Sequence, residues 1–128
     1  MTHVEVVDAS ALAALYFGEP EADAVAGRLG EAYLAAPALI QFEMTNIALK
    51  KITKNPPTAP LVLRRLSDFL ASPLEICDVD HGEALALALA VRLTAYDASY
   101  LWLARHRQCG LITLDRQLAQ AAGEHLPR

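Results

Sequence analysis

Three carboxylates in this 128-residue chain stand beside the ends of short segments and a fourth lies inside one, where a fold can gather them. Asp8 closes the β-branched run Val4-Glu5-Val6-Val7, and Asp115 follows Leu111-Ile112-Thr113-Leu114. Asp97 opens a helical segment after the polar break at Thr94, and Glu43 lies inside a mostly apolar one, with Asn46 three residues on along the same face. Each acid alone has a plainer reading. Asp8 can accept hydrogen bonds in a strand-to-helix turn, Asp97 and Asp115 can be N-caps, and Glu43 can be an exposed helix position. Asp80 has Glu83 three residues on, and that capping-box spacing gives it a sufficient structural role outside any site. Taken jointly, the four acids have a chemistry. Carboxylates converging in a cleft raise one another's pKa, and a divalent cation removes that cost. Oxygen ligands without His or Cys suit Mg²⁺ or Mn²⁺ rather than zinc. Such an ion holds phosphate oxygens and lowers the pKa of a bound water for in-line attack.

Those acids must be positioned by elements that the pattern locates. Strands are expected over residues 4–8, 33–35, 74–77 and 111–113, where short apolar runs meet breakers. Helices are expected over residues 10–17, 20–29, 37–54, 60–71, 84–93, 97–107 and 115–122, with Ser10, Pro20 and Pro37 as their starts. Residues 84–93 alternate Ala and Leu. Propensity, the Asp80 cap and a Leu85/Leu89/Leu93 stripe favour helix there. Strands alternating with helices imply a mostly parallel sheet covered on both faces. In such sheets a site forms outside the carboxyl ends of the strands. The breaker Asn55-Pro56-Pro57-Thr58-Ala59-Pro60 is too short to separate domains, so residues 1–128 are read as one domain.

Composition agrees. With 54% hydrophobic residues the chain is not a disordered tail, and no apolar run reaches the ~20 residues that span a bilayer. No signal peptide is visible, and Cys77 and Cys109 have no zinc spacing, so a cytoplasmic protein with free thiols is expected. Net charge is −4, from 11 basic and 15 acidic side chains, so the four acids account for the whole imbalance. The charge is also polarised along the chain. Residues 1–49 carry one base, Arg28, whereas residues 50–65 carry Lys50, Lys51, Lys54, Arg64 and Arg65 and no acid. That run is either a solvated helix face or a phosphate-tracking surface beside the acidic cleft, with Arg105, Arg107 and Arg116 as alternative contacts, Arg116 following Asp115 directly.

The segments Val6-Val7-Asp8-Ala9-Ser10-Ala11-Leu12, Glu43 with Asn46, Tyr96-Asp97-Ala98-Ser99-Tyr100-Leu101 and Leu111-Ile112-Thr113-Leu114-Asp115-Arg116-Gln117-Leu118 together resemble the PIN domain. More narrowly they resemble the VapC toxins of VapBC toxin–antitoxin modules, in order and spacing over residues 4–122. The resemblance implies a three-layer α/β/α sandwich and a metal-dependent endoribonuclease acting on RNA, with transfer RNA the family-level substrate. It also implies a VapB-like antitoxin in the active-site groove, and a homodimer. Carried over residue by residue, Asp8, Glu43, Asp97 and Asp115 match the acidic quartet. Asp8, Asp97 and Asp115 would hold the metal directly or through water, and Glu43 would orient or deprotonate the attacking water. Ser10 and Thr113 match polar positions beside the acids, where they are readable equally as an N-cap and a strand end. Asn46 is similarly open.

Two other function classes are weighed against this one. A catalytically silent PIN module would bind RNA or protein without metal. A phosphoreceiver would use Asp8 as nucleophile, but no second acid lies two residues beyond Asp8 and Glu43 would be idle. The histidines His3, His81, His106 and His125 are scattered, and no P-loop or GxGxxG is present.

Overall fold

The computed structural model describes residues 3–127. The β-branched run forms β1 (Val4–Val7), and Asp8 caps the helix that follows, α1 (Ala9–Tyr16). Next come α2 (Ala22–Leu29), β2 (Tyr33–Pro37) and the long α3 (Leu39–Lys54). A single 3₁₀ turn, Pro56–Thr58, joins α3 to α4 (Ala59–Leu70). The chain continues through β3 (Glu75–Cys77), α5 (His81–Val91), α6 (Ala95–Arg107), β4 (Leu111–Ile112) and α7 (Arg116–His125). The four strands form one wholly parallel sheet in the order β3-β2-β1-β4, so β1 is central and every carboxyl end lies on one edge.

Helices α1 to α4 pack among themselves on one side of the molecule. On the other, α5 and α7 flank α6, which lies across β1 and β2. The core between these layers is built from Val6, Val7, Ile40, Met44, Leu101 and Leu103, all essentially inaccessible to solvent. The expected three-layer α/β/α sandwich is the observed one. No single described helix is long and apolar enough to cross a membrane.

Several boundaries differ from the sequence expectation, each for a local reason. Ser10 is not a cap. Asp8 is extended and its carboxylate accepts from the Ala11 amide, so α1 starts one residue earlier and Ser10 sits inside it. Asp97 is not a cap either: Thr94 accepts from the Asp97 amide, which places Asp97 in the first turn of α6. Pro37 ends β2 instead of opening α3. Asp80 caps α5 by accepting from the Glu83 amide, but the Glu83 carboxylate turns to the Trp102 indole at 2.9 Å rather than back to the cap.

The Leu85/Leu89 stripe correctly marks a helix, but that stripe faces outward. Leu85 and Leu89 are exposed, and Ala84, Leu87 and Ala88 form the buried face. In an Ala/Leu alternation both stripes are apolar at helical spacing, so periodicity alone cannot choose between them.

Leu101 lies under the site-bearing start of α6 and has no solvent exposure. Leu101→Ala is expected to cost about 2–5 kcal/mol of stability. Urea unfolding should show a lower midpoint with an unchanged m-value.

Candidate active site at the carboxyl edge of the sheet

The pairing of β1 with β4 aligns Val6 with Leu111 and Val7 with Ile112. One step further along both strands, Asp8 therefore faces Thr113, neighbours on strands about 4.8 Å apart. The Asp8 amide donates to the Ile112 carbonyl at 3.1 Å, carrying the ladder up to the site. The Asp8 side chain is only 5% exposed and is held as an acceptor on both oxygens. Its Oδ1 takes the Ser10 hydroxyl at 2.7 Å and the Ala11 amide at 3.1 Å, and its Oδ2 takes the Thr113 hydroxyl. Thr113 Oγ1 in turn accepts from the Asp115 amide at 3.0 Å, and Ser10 Oγ from the Leu114 amide at 2.9 Å. Two small hydroxyls thus tie the turn after β1 to the turn after β4. Asp115, exposed, caps α7 by accepting from the Leu118 amide at 2.8 Å.

The other two acids arrive from helices. Glu43 sits in the second turn of α3, which begins just past the carboxyl end of β2, and it is half-buried. Its Oε1 accepts a hydrogen bond from the hydroxyl of Tyr100, a residue 1% exposed on α6. Asp97, also half-buried, lies three residues before Tyr100 on the same face of α6.

These four carboxylates feel one another. Burial pushes the Asp8 carboxyl above its ordinary range, against the hydrogen bonds from Thr113, Ser10 and the Ala11 amide, and the Asp115 charge adds to the rise. Burial likewise raises Glu43, opposed by its Tyr100 hydrogen bond and reinforced by the charges of Asp8 and Asp97. Asp97 is raised by burial and then by Asp115 and Asp8. The Tyr100 hydroxyl is pushed far above its usual value by burial and by Glu43, so it remains a donor throughout the physiological range. None of the ion pairs among the described residues supplies a cation to any of the four acids.

The donor set is therefore all oxygen and, among the described residues, free of ion pairs, which fits a hard divalent cation. Among the described residues, however, no three Asp, Glu, His or Cys side chains form a ready-made metal cluster. The acids share one electrostatic neighbourhood, not a preformed cage.

The remaining residues of interest fall elsewhere. Asn46 is exposed, and no described hydrogen bond joins it to the acids. Lys51, Lys54 and Arg65 gather around a cavity of about 720 Å³ with Phe17, Leu61 and Val62. This cavity lies near the far ends of α1 and α3, so the basic run is not beside the acids as expected, because α3 carries its last turn away from the sheet edge. Eleven residues of helix separate Lys54 from Glu43, about 16 Å. Lys51 is engaged there, with Glu19 at 3.0 Å and the Phe17 ring at 5.7 Å. Lys50, Arg64 and Arg116 are exposed. Two residues at the site were given no role by the sequence reading: Tyr100, which stands in the motif around Asp97, and Arg28, whose Nη1 donates to the Thr113 carbonyl at 3.2 Å.

A PIN-domain family model matches residues 6–124. The chain belongs to the PIN-domain family. Within it, 121 residues align at 35% identity with Ribonuclease VapC3 of Pyrobaculum aerophilum, covering 90% of this chain and 92% of that protein. The crystal structure of PAE2754 from the same organism superposes with a TM-score of 0.75 at 27% identity, over 92% of this chain and 84% of that one. Mycobacterium tuberculosis VapC20, a toxin that cleaves the sarcin–ricin loop, shares the fold with a TM-score of 0.64 at 15% identity, over 91% and 94%.

The upward shift of Asp97 has a consequence for stability. A folded state that holds the proton more tightly than the unfolded chain loses stability as pH rises through the carboxylate range. The Asp97 side chain makes no described hydrogen bond, so Asp97→Asn removes the charge and little else. The variant should melt roughly 1–3 °C above the parent at pH 7. The two melting curves should converge below about pH 4, where the parent carboxyl is protonated as well.

Proposed function

We propose that this protein is a metal-dependent endoribonuclease toxin that hydrolyses RNA phosphodiester bonds. The observation that supports the reading is the exit of Asp8 beside Thr113 at the carboxyl edge of the sheet, with Asp115 two residues on and with Glu43 and Asp97 near enough for the acids' charges to raise one another, while none of the four is ion-paired among the described residues. Kinship with Ribonuclease VapC3 supports the substrate class.

Asp8, Asp97 and Asp115 are the residues that would hold Mg²⁺ or Mn²⁺, directly or through water, with Glu43 joining directly or through water. No cage is required, because Mg²⁺ is commonly held by one or two carboxylates together with waters and substrate phosphate. When bound, the ion supplies charge neutralisation at the phosphate and acidifies a coordinated water. The protein's own residues do the rest. Ser10 and Thr113 hold the Asp8 carboxylate in one orientation, leaving it no freedom to swing away from its neighbours. Glu43, whose carboxyl is raised above its ordinary range by burial, is suited to orient the attacking water and take its proton. As the new P–O bond forms in line, the opposite P–O bond breaks and the departing ribose oxygen takes a proton from solvent water, leaving a phosphate end and a free hydroxyl.

Lys50, Lys51, Lys54, Arg64 and Arg65 form a phosphate-tracking surface several nucleotides from the scissile bond, and Arg116 is the near contact. A VapB-like antitoxin covers the acid cluster, and the exposed apolar residues Phe42 (74%) and Leu89 (75%) suit a homodimer contact. The site of action is the cytoplasm, and transfer RNA is the substrate to test first.

Asp8→Asn should lower cleavage by about 100-fold or more. The fold should survive, because the Thr113 hydroxyl can rotate to accept from the new amide. Cleavage sites are mapped across total RNA with Mn²⁺ for both proteins, and circular dichroism checks the fold. If the parent cuts no RNA and Asp8→Asn does not relieve growth inhibition on expression, the enzyme reading fails. Equal RNA binding with and without metal would then identify a silent binding module. For the basic surface, Lys54→Ala and Arg65→Ala should each flatten the slope of log affinity against log salt by about 0.7. An unchanged slope in both variants would remove these side chains from the RNA path.

A further inference from the structure

We infer that Tyr100 is a positioning residue for Glu43, fixing where its carboxylate stands in the acid cluster. The inference rests on the ribonuclease reading for its functional meaning, but not for its geometry.

A glutamate has three rotatable side-chain bonds, and Glu43 is only half-buried, with an exposed helix face beside it. The neighbouring charges of Asp8 and Asp97 repel it. Left to itself, such a side chain lowers its energy by turning out to water, away from the like charges. One contact opposes that. The Tyr100 hydroxyl donates to Glu43 Oε1, bridging α3 and α6 across 57 residues of sequence. Tyr100 is suited to act as an anchor. Its ring is 1% exposed in the packed core, and it has two torsions where glutamate has three.

The placement is also directional. Asp97 and Tyr100 share a face of α6, so the helix that brings one acid to the cluster carries the donor that holds another. The bond engages Oε1, and no described hydrogen bond engages Oε2, which stands available to a water. A purely structural role for this bond is the competing account: a buried hydroxyl needs a partner, and on that account Glu43 serves only as the partner.

Tyr100→Phe keeps the ring and removes the donor, and two readouts separate the accounts. The first needs no activity. A crystal structure of Tyr100→Phe should show the Glu43 carboxylate displaced from the cluster or split between rotamers. A single rotamer at the parent position overturns the inference, whether or not the protein cuts RNA.

The second is a kinetic cycle with Glu43→Gln. Tyr100→Phe should lower kcat about 10-fold, equivalent to 1.36 kcal/mol, with KM within about twofold of the parent. In the Glu43→Gln background the same change should cost less than about twofold, because the group through which Tyr100 acts is gone. Independent, multiplicative losses would overturn the inference, as would a kcat within twofold of the parent for Tyr100→Phe alone. Inactive parent protein with a displaced Glu43 in Tyr100→Phe would sink the ribonuclease reading and leave the positioning contact standing.

Discussion

The register of β1 against β4 is the constraint on which the site depends. Because Val7 lies beside Ile112, Asp8 and Thr113 leave the sheet side by side, and the hydroxyl of one reaches the carboxylate of the other. A slip of one residue would turn Asp8 to the opposite face of the sheet and carry Thr113 away from it. Ser10 reinforces the same junction from the first turn of α1, by donating to Asp8 and accepting from Leu114. The two turns therefore behave as one hydrogen-bonded unit that carries Asp8 at its centre and Asp115 at its end.

Holding like charges together has a cost, and the fold meets it locally. Asp8 is the most buried of the four acids and has the most donors, three of them on its two oxygens. Glu43 has one, from Tyr100, and the Asp97 side chain has none described. The supply of donors thus follows burial, as it must where a desolvated carboxylate lacks an ionic partner. The residual cost appears as the upward shift of all three carboxyl groups. Carboxyl groups shifted upward by burial and by one another also occur where a fold keeps ionisable groups for a functional site.

The basic run occupies another part of the molecule. Lys51, Lys54 and Arg65 surround an apolar-floored cavity toward the ends of α1 and α3, well away from the acids. The charge polarity visible along the chain therefore becomes a spatial polarity, with an acidic edge where strands end and a basic region where helices end. Cations in the last turn of α3 are also favoured by its dipole, so part of this arrangement is explained by helix electrostatics alone.

Much of this architecture was legible in the order of residues. The strand and helix succession follows from short-range pattern, and so does the delivery of Asp8 and Asp115 to one edge, because parallel strands all point the same way. Caps were harder. Asp8, Ser10, Thr94 and Asp97 are all competent cap residues within a few positions of a helix start, and which one serves depends on backbone angles that composition does not encode. The outward face of α5 was illegible for a different reason, since Ala84/Leu87/Ala88 and Leu85/Leu89 are equally apolar and only the neighbouring α6 distinguishes them. The bond between Tyr100 and Glu43 is further still from local pattern. The sequence by itself determined the order and kind of the elements, and that Asp8 and Asp115 follow strands, because those depend on interactions a few residues long. Tertiary structure alone decided which side chains touch, because contacts between residues 57 or 105 positions apart arise from layer packing and strand register, quantities that exist only once the chain has closed on itself.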